Sequence, residues 1–181
     1  MNIFVIGLGL IGGSIGLTLR GRHRITGYDR HPTHVRRALE IGLVHDVAEW
    51  AHHADVIVMC VPVDAIRHML PEILDRMSPE AVVIDTGSTK RSICEAVRRH
   101  PRRRQFVACH PVAGTEFSGP EAARAGLFQD KTCVVVDSSA SDPQALGVAQ
   151  NFWNECGMSM IDMSSEAHDR AFAVASHLPH A

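Results

Sequence analysis

Lysine is nearly absent: the 181 residues hold only Lys90 and Lys131, against sixteen arginines. Aromatic residues make up 5% of the chain, and the formal net charge is −2. A general nucleic-acid binder, which needs a basic surface and stacking rings, is not expected. The longest apolar run, Val56 to Val63, is eight residues and contains Pro62. A membrane helix needs ~20 apolar residues, so no membrane span is expected. The N-terminus runs straight into a strand-like segment, and no signal peptide is expected. No C-x-x-C pair occurs among Cys60, Cys94, Cys109, Cys133 and Cys156. Buried free thiols in a reduced, cytoplasmic protein are the plain expectation. The hydrophobic share, 45%, suits one ordinary domain with a real core and excludes low-complexity disorder.

What is present is an alternation of apolar strands with helices. Strands are expected over Asn2–Gly7, Arg24–Asp29, Asp55–Val61, Ala81–Asp85, Gln105–Cys109, Thr132–Asp137 and Met158–Asp162. Helices are expected over Ile11–Arg20, Pro32–Ile41 with Gly42 as its stop, Thr89–His100, and from Asp142-Pro143 to Gly157. Ile66, Met69, Leu70, Ile73, Leu74 and Met77 recur at helical spacing, with Asp64 as a cap and Pro71 as a kink or break. Ser164 or Ser165 caps a last helix running toward His177. Nearly continuous apolar strands indicate an α/β fold, a doubly wound and mostly parallel sheet covered on both faces.

Gly7-Leu8-Gly9-Leu10-Ile11-Gly12 fits G-x-G-x-x-G between a strand and a helix. Gly7 permits the tight turn, Gly9 lets the backbone approach a pyrophosphate, and Gly12 lets helix and strand pack closely. The N–H groups of Leu10 and Ile11 lie at the helix start, where anions are favoured. Asp29 ends the second strand, where a carboxylate accepts both ribose hydroxyls of NAD and repels the 2′-phosphate of NADP. Arg30 beside it could accommodate that phosphate, but the expected preference is NAD.

In such a sheet the ligand lies at the carboxyl ends of the strands. The third strand ends at Cys60-Val61-Pro62-Val63, where Val61 and Pro62 pack either against the cofactor or simply within a loop. The fourth ends in Asp85-Thr86-Gly87-Ser88-Thr89-Lys90. Ser88 reads as a helix cap, as a hydroxyl beside the nicotinamide, or as both. The fifth ends in Cys109-His110-Pro111, followed by Val112-Ala113-Gly114-Thr115-Glu116. A histidine there, held by a Pro-Gly loop, suits a base that removes a hydroxyl proton.

The set GLGLIGGSIG, DTGSTK, HPVAGTEFSG and SHLPHA resembles the prephenate dehydrogenase family, including its arogenate and cyclohexadienyl variants. The resemblance runs from residue 7 to residue 181 and implies a Rossmann domain. It implies NAD-dependent oxidative decarboxylation of prephenate to 4-hydroxyphenylpyruvate, or of arogenate to tyrosine. His110 then matches the catalytic histidine, and Ser88 matches the serine that bonds the substrate hydroxyl and orients the nicotinamide. Thr115 and Glu116 fall near the substrate, Glu116 as a gating or polar-network carboxylate. Ser176, His177 and His180 match the segment that reaches the substrate from an interdomain helix. On this reading residues 1–165 are the dinucleotide-binding domain and 166–181 begin a helix toward an all-helical dimerisation domain absent from the chain. The chain alone is then expected to bind NAD with little turnover, and the whole protein to be a cytoplasmic homodimer.

Other features read as structural. The basic run Arg98 to Arg104 is expected to be a solvated connection at a helix end, not a nucleic-acid patch. The twelve histidines show no familiar ligand spacing, and no metal is expected. Leu146, Phe152 and Trp153 read as core or interface packing, and Trp50 as the anchor of a short helix. Two other functions compete. A β-hydroxyacid dehydrogenase needs a catalytic lysine that neither Lys90 nor Lys131 matches, and a non-catalytic NAD module needs neither His110 nor Ser88.

Overall fold

The computed structural model describes residues 1–177, with side chains through residue 173. Eight strands form one sheet: β1 (Asn2–Ile6), β2 (Arg24–Tyr28), β3 (Asp46–Val47), β4 (Val56–Met59), β5 (Val82–Asp85), β6 (Phe106–Pro111), β7 (Thr132–Val136) and β8 (Ser159–Met163). Their order is β3-β2-β1-β4-β5-β6-β7-β8. All neighbours are parallel except β6 and β7, which pair antiparallel. After β1 the chain moves outward to β2 and β3, then returns to lay β4 on β1's other side. That reversal opens a crevice at the carboxyl ends of β1 and β4, where such sheets bind ligands.

Alternate side chains of each strand feed two cores. Ile3, Val5, Val56, Val58 and Val107 face one way, toward Ile15 and Leu19 of α1 (Leu10–Leu19), Ala38 of α2 (Pro32–Glu40), and Phe152 and Trp153. Phe4, Ile6, Ile57, Met59, Val83 and Phe106 face the other way, toward Ile66, Leu70, Ile73 and Leu74 of α3 (Val63–Arg76) and Ile93 of α4 (Arg91–Ala96). The aromatic pair Phe152 and Trp153 lies on α5 (Pro143–Glu155), and Phe172 of α6 (Ser165–His177) joins the second core. Phe152 and Trp153 are fully buried and meet edge to face at 5.0 Å, as core packing requires.

Several local expectations need correction. Pro71 does not divide α3, which is helical from Val63 to Arg76. The row Ile66, Leu70, Ile73, Leu74 is wholly buried on the sheet and holds the helix across the lost N–H bond. Asp64 is not the cap; Pro62 is, and Asp64 pairs with Arg67 at 3.1 Å in the first turn. Helix α4 stops at Ala96, well short of His100. Trp50 anchors no helix: it follows the two-residue β3, meets Phe4 edge to face at 5.8 Å, and carries the Arg76 guanidinium over its ring. The basic run is not merely solvated. Arg102 donates to the Leu74 and Met77 carbonyls at the end of α3, and the buried Arg103 donates to the Phe106 carbonyl. The expected caps at the other end of the chain are found, with the Ser164 hydroxyl accepting the Ala167 N–H at 3.1 Å.

Candidate active site

The glycine turn has the stereochemistry that its sequence requires. Gly7 adopts φ +97°, and a Cβ there would lie 2.5 Å from the Cys60 carbonyl oxygen. A Cβ on Gly12 would lie 1.9 Å from the Gly7 oxygen, so α1 approaches β1 as no other residue would allow. A Cβ on Gly9 would meet nothing within 4 Å. Packing therefore explains Gly7 and Gly12 but not Gly9, which opens onto a cleft. That cleft, about 370 Å³, is lined by Gly7, Gly9, Asp29, Arg30, Val61 and Pro62. Leu10 and Ile11 begin α1 at its edge, presenting the N–H groups that a helix start leaves unpaired.

Asp29 does more than face the cleft. One carboxylate oxygen accepts the Leu8 N–H at 2.9 Å and the other accepts the His31 N–H at 2.9 Å. Its side chain is only 8% exposed, with the His34 ring 3.4 Å away. Arg30 is exposed and donates to the His31 ring.

At the next strand ends, Ser88 and Thr89 are exposed beyond β5, and neither caps α4, whose N-cap is Lys90. Behind them lies a fully buried ion pair that the sequence reading did not assign. Lys90 Nζ donates to an Asp85 carboxylate oxygen and to the Cys109 carbonyl oxygen, the latter at 2.6 Å. Asp85 also accepts the N–H of Gly87 at 2.8 Å and that of Cys109 at 3.1 Å. Register pairing of β5 with β6 covers Val83–Phe106 and Ile84–Val107. Beyond it, these charges bridge the two strands. Opposite charges at the two ends of the polar turn Thr86–Thr89 were the available sequence signal. Lys90, buried and paired, is not placed as a catalytic lysine.

His110 lies within β6 rather than after it, in register with Val134 of β7. Its Nδ1 is 2.8 Å from Nε2 of His168, and His168 Nδ1 is 2.8 Å from an Asp169 carboxylate oxygen. Asp169 in turn accepts the N–H groups of Lys90 at 2.7 Å and Arg91 at 3.0 Å. His168 is fully buried; Phe172 stacks on it at 4.5 Å and meets the His110 ring at a tilt, 4.7 Å away. Burial, then the neighbouring His168 and the Lys90 ammonium, push His110 down to about 4, with Asp169 opposing. His110 is thus neutral, with a lone pair available, across the ordinary pH range. His168 and Asp169 were not assigned because only the end of this helix, Ser176 to His180, was read as reaching the site; the adjacent His-Asp in its first turns was the available signal.

In the loop after β6, Thr115 accepts the Phe117 N–H at 3.2 Å through its hydroxyl, and Glu116 is exposed. Ser176 and His177 fall in the last turn of α6, and their side chains lie outside the described residues, as does the whole of His180. The thiols are free, and burial pushes Cys60, Cys94 and Cys156 up to about 12, so these three are not ready nucleophiles.

A doubly wound sheet with this turn at its crevice defines a nucleotide-binding domain of the Rossmann type. The family description "Prephenate dehydrogenase, nucleotide-binding domain" matches residues 15–162, and the chain belongs to that family. It is 33% identical over 99% of its length to the cyclohexadienyl dehydrogenase of Zymomonas mobilis, of which it covers 64%. It is 34% identical over 99% of its length to the prephenate dehydrogenase of Bacillus subtilis, of which it covers 51%. The prephenate dehydrogenase of A. aeolicus, solved with hydroxyphenyl propionate and NAD+, superposes with a TM-score of 0.90 at 29% identity, covering 99% of this chain and 65% of that one. The chain thus spans about half to two thirds of the length of these relatives. Among the described residues no helix is long and apolar enough to cross a membrane.

Proposed function

We propose that the protein oxidatively decarboxylates prephenate to 4-hydroxyphenylpyruvate with NAD, within tyrosine biosynthesis. The observation that carries this reading is His110: a neutral imidazole held through Nδ1 at the carboxyl end of β6, on the same sheet edge as the glycine turn. The cleft residues fit a dinucleotide. Gly9 leaves room for a pyrophosphate, Leu10 and Ile11 offer N–H groups, and Asp29 places a carboxylate where a ribose binds. The bound nicotinamide would supply the two-electron acceptor.

His110 takes the proton of the ring 4-hydroxyl, and Ser88 holds that hydroxyl in line with it. The ring carboxylate leaves as CO₂ when the ring becomes aromatic, so the protein needs no acid and contributes position and one base. Thr115, Glu116, Ser176, His177 and His180 belong to the substrate side of this reading. Residues 1–165 form the nucleotide-binding domain and 166–181 lead on from it, although α6 also supplies His168 to the site. The family resemblance extends the reading to a cytoplasmic homodimer.

The test is an assay of the whole protein with prephenate and arogenate, each with NAD and NADP. Turnover of prephenate with NAD at the highest kcat/KM is expected. A preference for arogenate would move the substrate assignment, and no dehydrogenase activity with either would overturn the reading.

A further inference from the structure

We infer that His168 and Asp169 fix the tautomer of His110, so that its lone pair is held on Nε2, and that both are positioning residues for the base. Hydrogen-bond direction fixes the assignment. A carboxylate only accepts, so His168 Nδ1, 2.8 Å from Asp169, carries a hydrogen. A neutral His168 then has its lone pair on Nε2. That atom lies 2.8 Å from His110 Nδ1, which must therefore carry a hydrogen. A neutral His110 is left with one lone pair, on Nε2, a nitrogen with no hydrogen-bond partner among the described residues.

Nothing in the chain of contacts is free to reverse it. Both Asp169 oxygens are taken by the N–H groups of Lys90 and Arg91, so the carboxylate cannot turn away. His168 is fully buried, with Phe172 stacked on its face, so its ring cannot flip to water. The other charge near His110, the Lys90 ammonium, is engaged by Asp85. The same Asp169 bonds tie α6 to the segment that follows Ser88, so one carboxylate sets the height of the base and anchors the loop bearing the serine. When a hydroxyl proton reaches Nε2, His110 becomes an imidazolium that still donates from Nδ1 to His168. No second proton moves, and Asp169 stays ionised, offsetting the new charge across one ring.

The inference deepens the proposed reaction and rests on it for the word base, but the tautomer is measurable without any turnover. The experiment is long-range imidazole ¹H–¹⁵N spectroscopy of the ¹⁵N-labelled chain at pH 7.5, a working value above the ordinary histidine range. His110 is expected in a single form, protonated at Nδ1 and bare at Nε2. In the His168→Leu variant a mixture of both tautomers is expected, and in His168→Gln, whose amide can accept and donate as the ring does, the single form returns. A bare Nδ1 on His110, or His168 protonated on both nitrogens in the wild-type chain, overturns the inference. In the whole protein, His168→Leu should lower kcat about 10- to 100-fold with KM and NAD affinity within twofold, as loss of an orienting partner does elsewhere. Equal kcat in His168→Leu and wild type overturns the positioning role. An Nδ1–H His110 in a protein without dehydrogenase activity would sink the proposed reaction and leave the tautomer assignment standing.

Discussion

The Asp29 carboxylate accepts the Leu8 N–H at 2.9 Å, so the end of β2 and the turn after β1 are one unit. The residue proposed to read the ribose thus also shapes the glycine turn. Substitution should then affect more than cofactor choice. Asp29→Ala is expected to lower NAD affinity at least tenfold and to lower thermal stability as well, by about 1–3 kcal/mol for the N–H left unpaired. Calorimetric NAD titration and a melting curve read the two effects separately. An unchanged melting temperature would show that the turn does not depend on this carboxylate.

Gly9 and Gly12 separate binding from folding. A Cβ on Gly9 meets no protein atom, and the residue has φ −78°, which alanine adopts freely. Gly9→Ala should melt within about 1 °C of the wild type, since it breaks no contact, yet bind NAD at least tenfold more weakly. Gly12→Ala drives a methyl into the Gly7 carbonyl and should cost several kcal/mol of stability before any ligand is added. Equal NAD affinity in Gly9→Ala would remove the phosphates from this turn.

Lys90 and Asp85 should not tolerate separate loss. Breaking a buried pair leaves a charge without its partner, at a cost of about 3–5 kcal/mol. For a domain of this size that corresponds to roughly 10 °C in melting temperature for Lys90→Met alone. Lys90→Met with Asp85→Leu should recover part of the loss, since no charge then remains buried. Chemical denaturation of the two variants checks the order; a double variant no more stable than the single would show that the pair holds the strands by geometry rather than by charge balance.

His110→Asn should leave NAD affinity within twofold and reduce kcat by about 10²–10⁴, the range that a general base contributes. Near-wild-type kcat would withdraw the base assignment.

Acid should unfold the domain partly through this same histidine. Its folded value near 4 lies below the ordinary 6.5, so between those values the unfolded chain binds a proton that the folded chain does not. Stability then rises with pH across that window and falls as pH drops through it. Asp169, held low by the Lys90 N–H, His168 and the Arg91 N–H against its own burial, adds a loss at still lower pH. Denaturation midpoints measured from pH 4 to pH 7 should show a slope that is reduced in His110→Asn. The same slope in both proteins would place the acid sensitivity elsewhere.

The places of the glycine turn, Asp29, Ser88 and His110 along one edge of the sheet were legible, because strand ends follow from hydrophobic pattern alone. The alternation of Ile3, Val5 with Phe4, Ile6 is enough to place the sheet between two helical layers. What was not legible is non-local pairing. His168 touches His110 across 58 residues, and Asp169 meets Lys90 across 79. No spacing rule connects them, because the contact is made by the docking of α6 on α4. Pro71 misled for a related reason: its cost is local, and the buried row that offsets it is tertiary. Arg102 looked like solvent charge because its carbonyl partners, Leu74 and Met77, lie at the end of another helix.

The bond between His110 and His168 also has a bearing on synthesis. The glycine turn and its sheet neighbours β1, β2 and β4 are complete by Met59. The His110 imidazole gains its partners only after Asp169 has left the ribosome, on the order of ten seconds later at usual elongation rates. A nascent chain therefore has its glycine turn translated well before the His110 imidazole has the partner that gives it a direction.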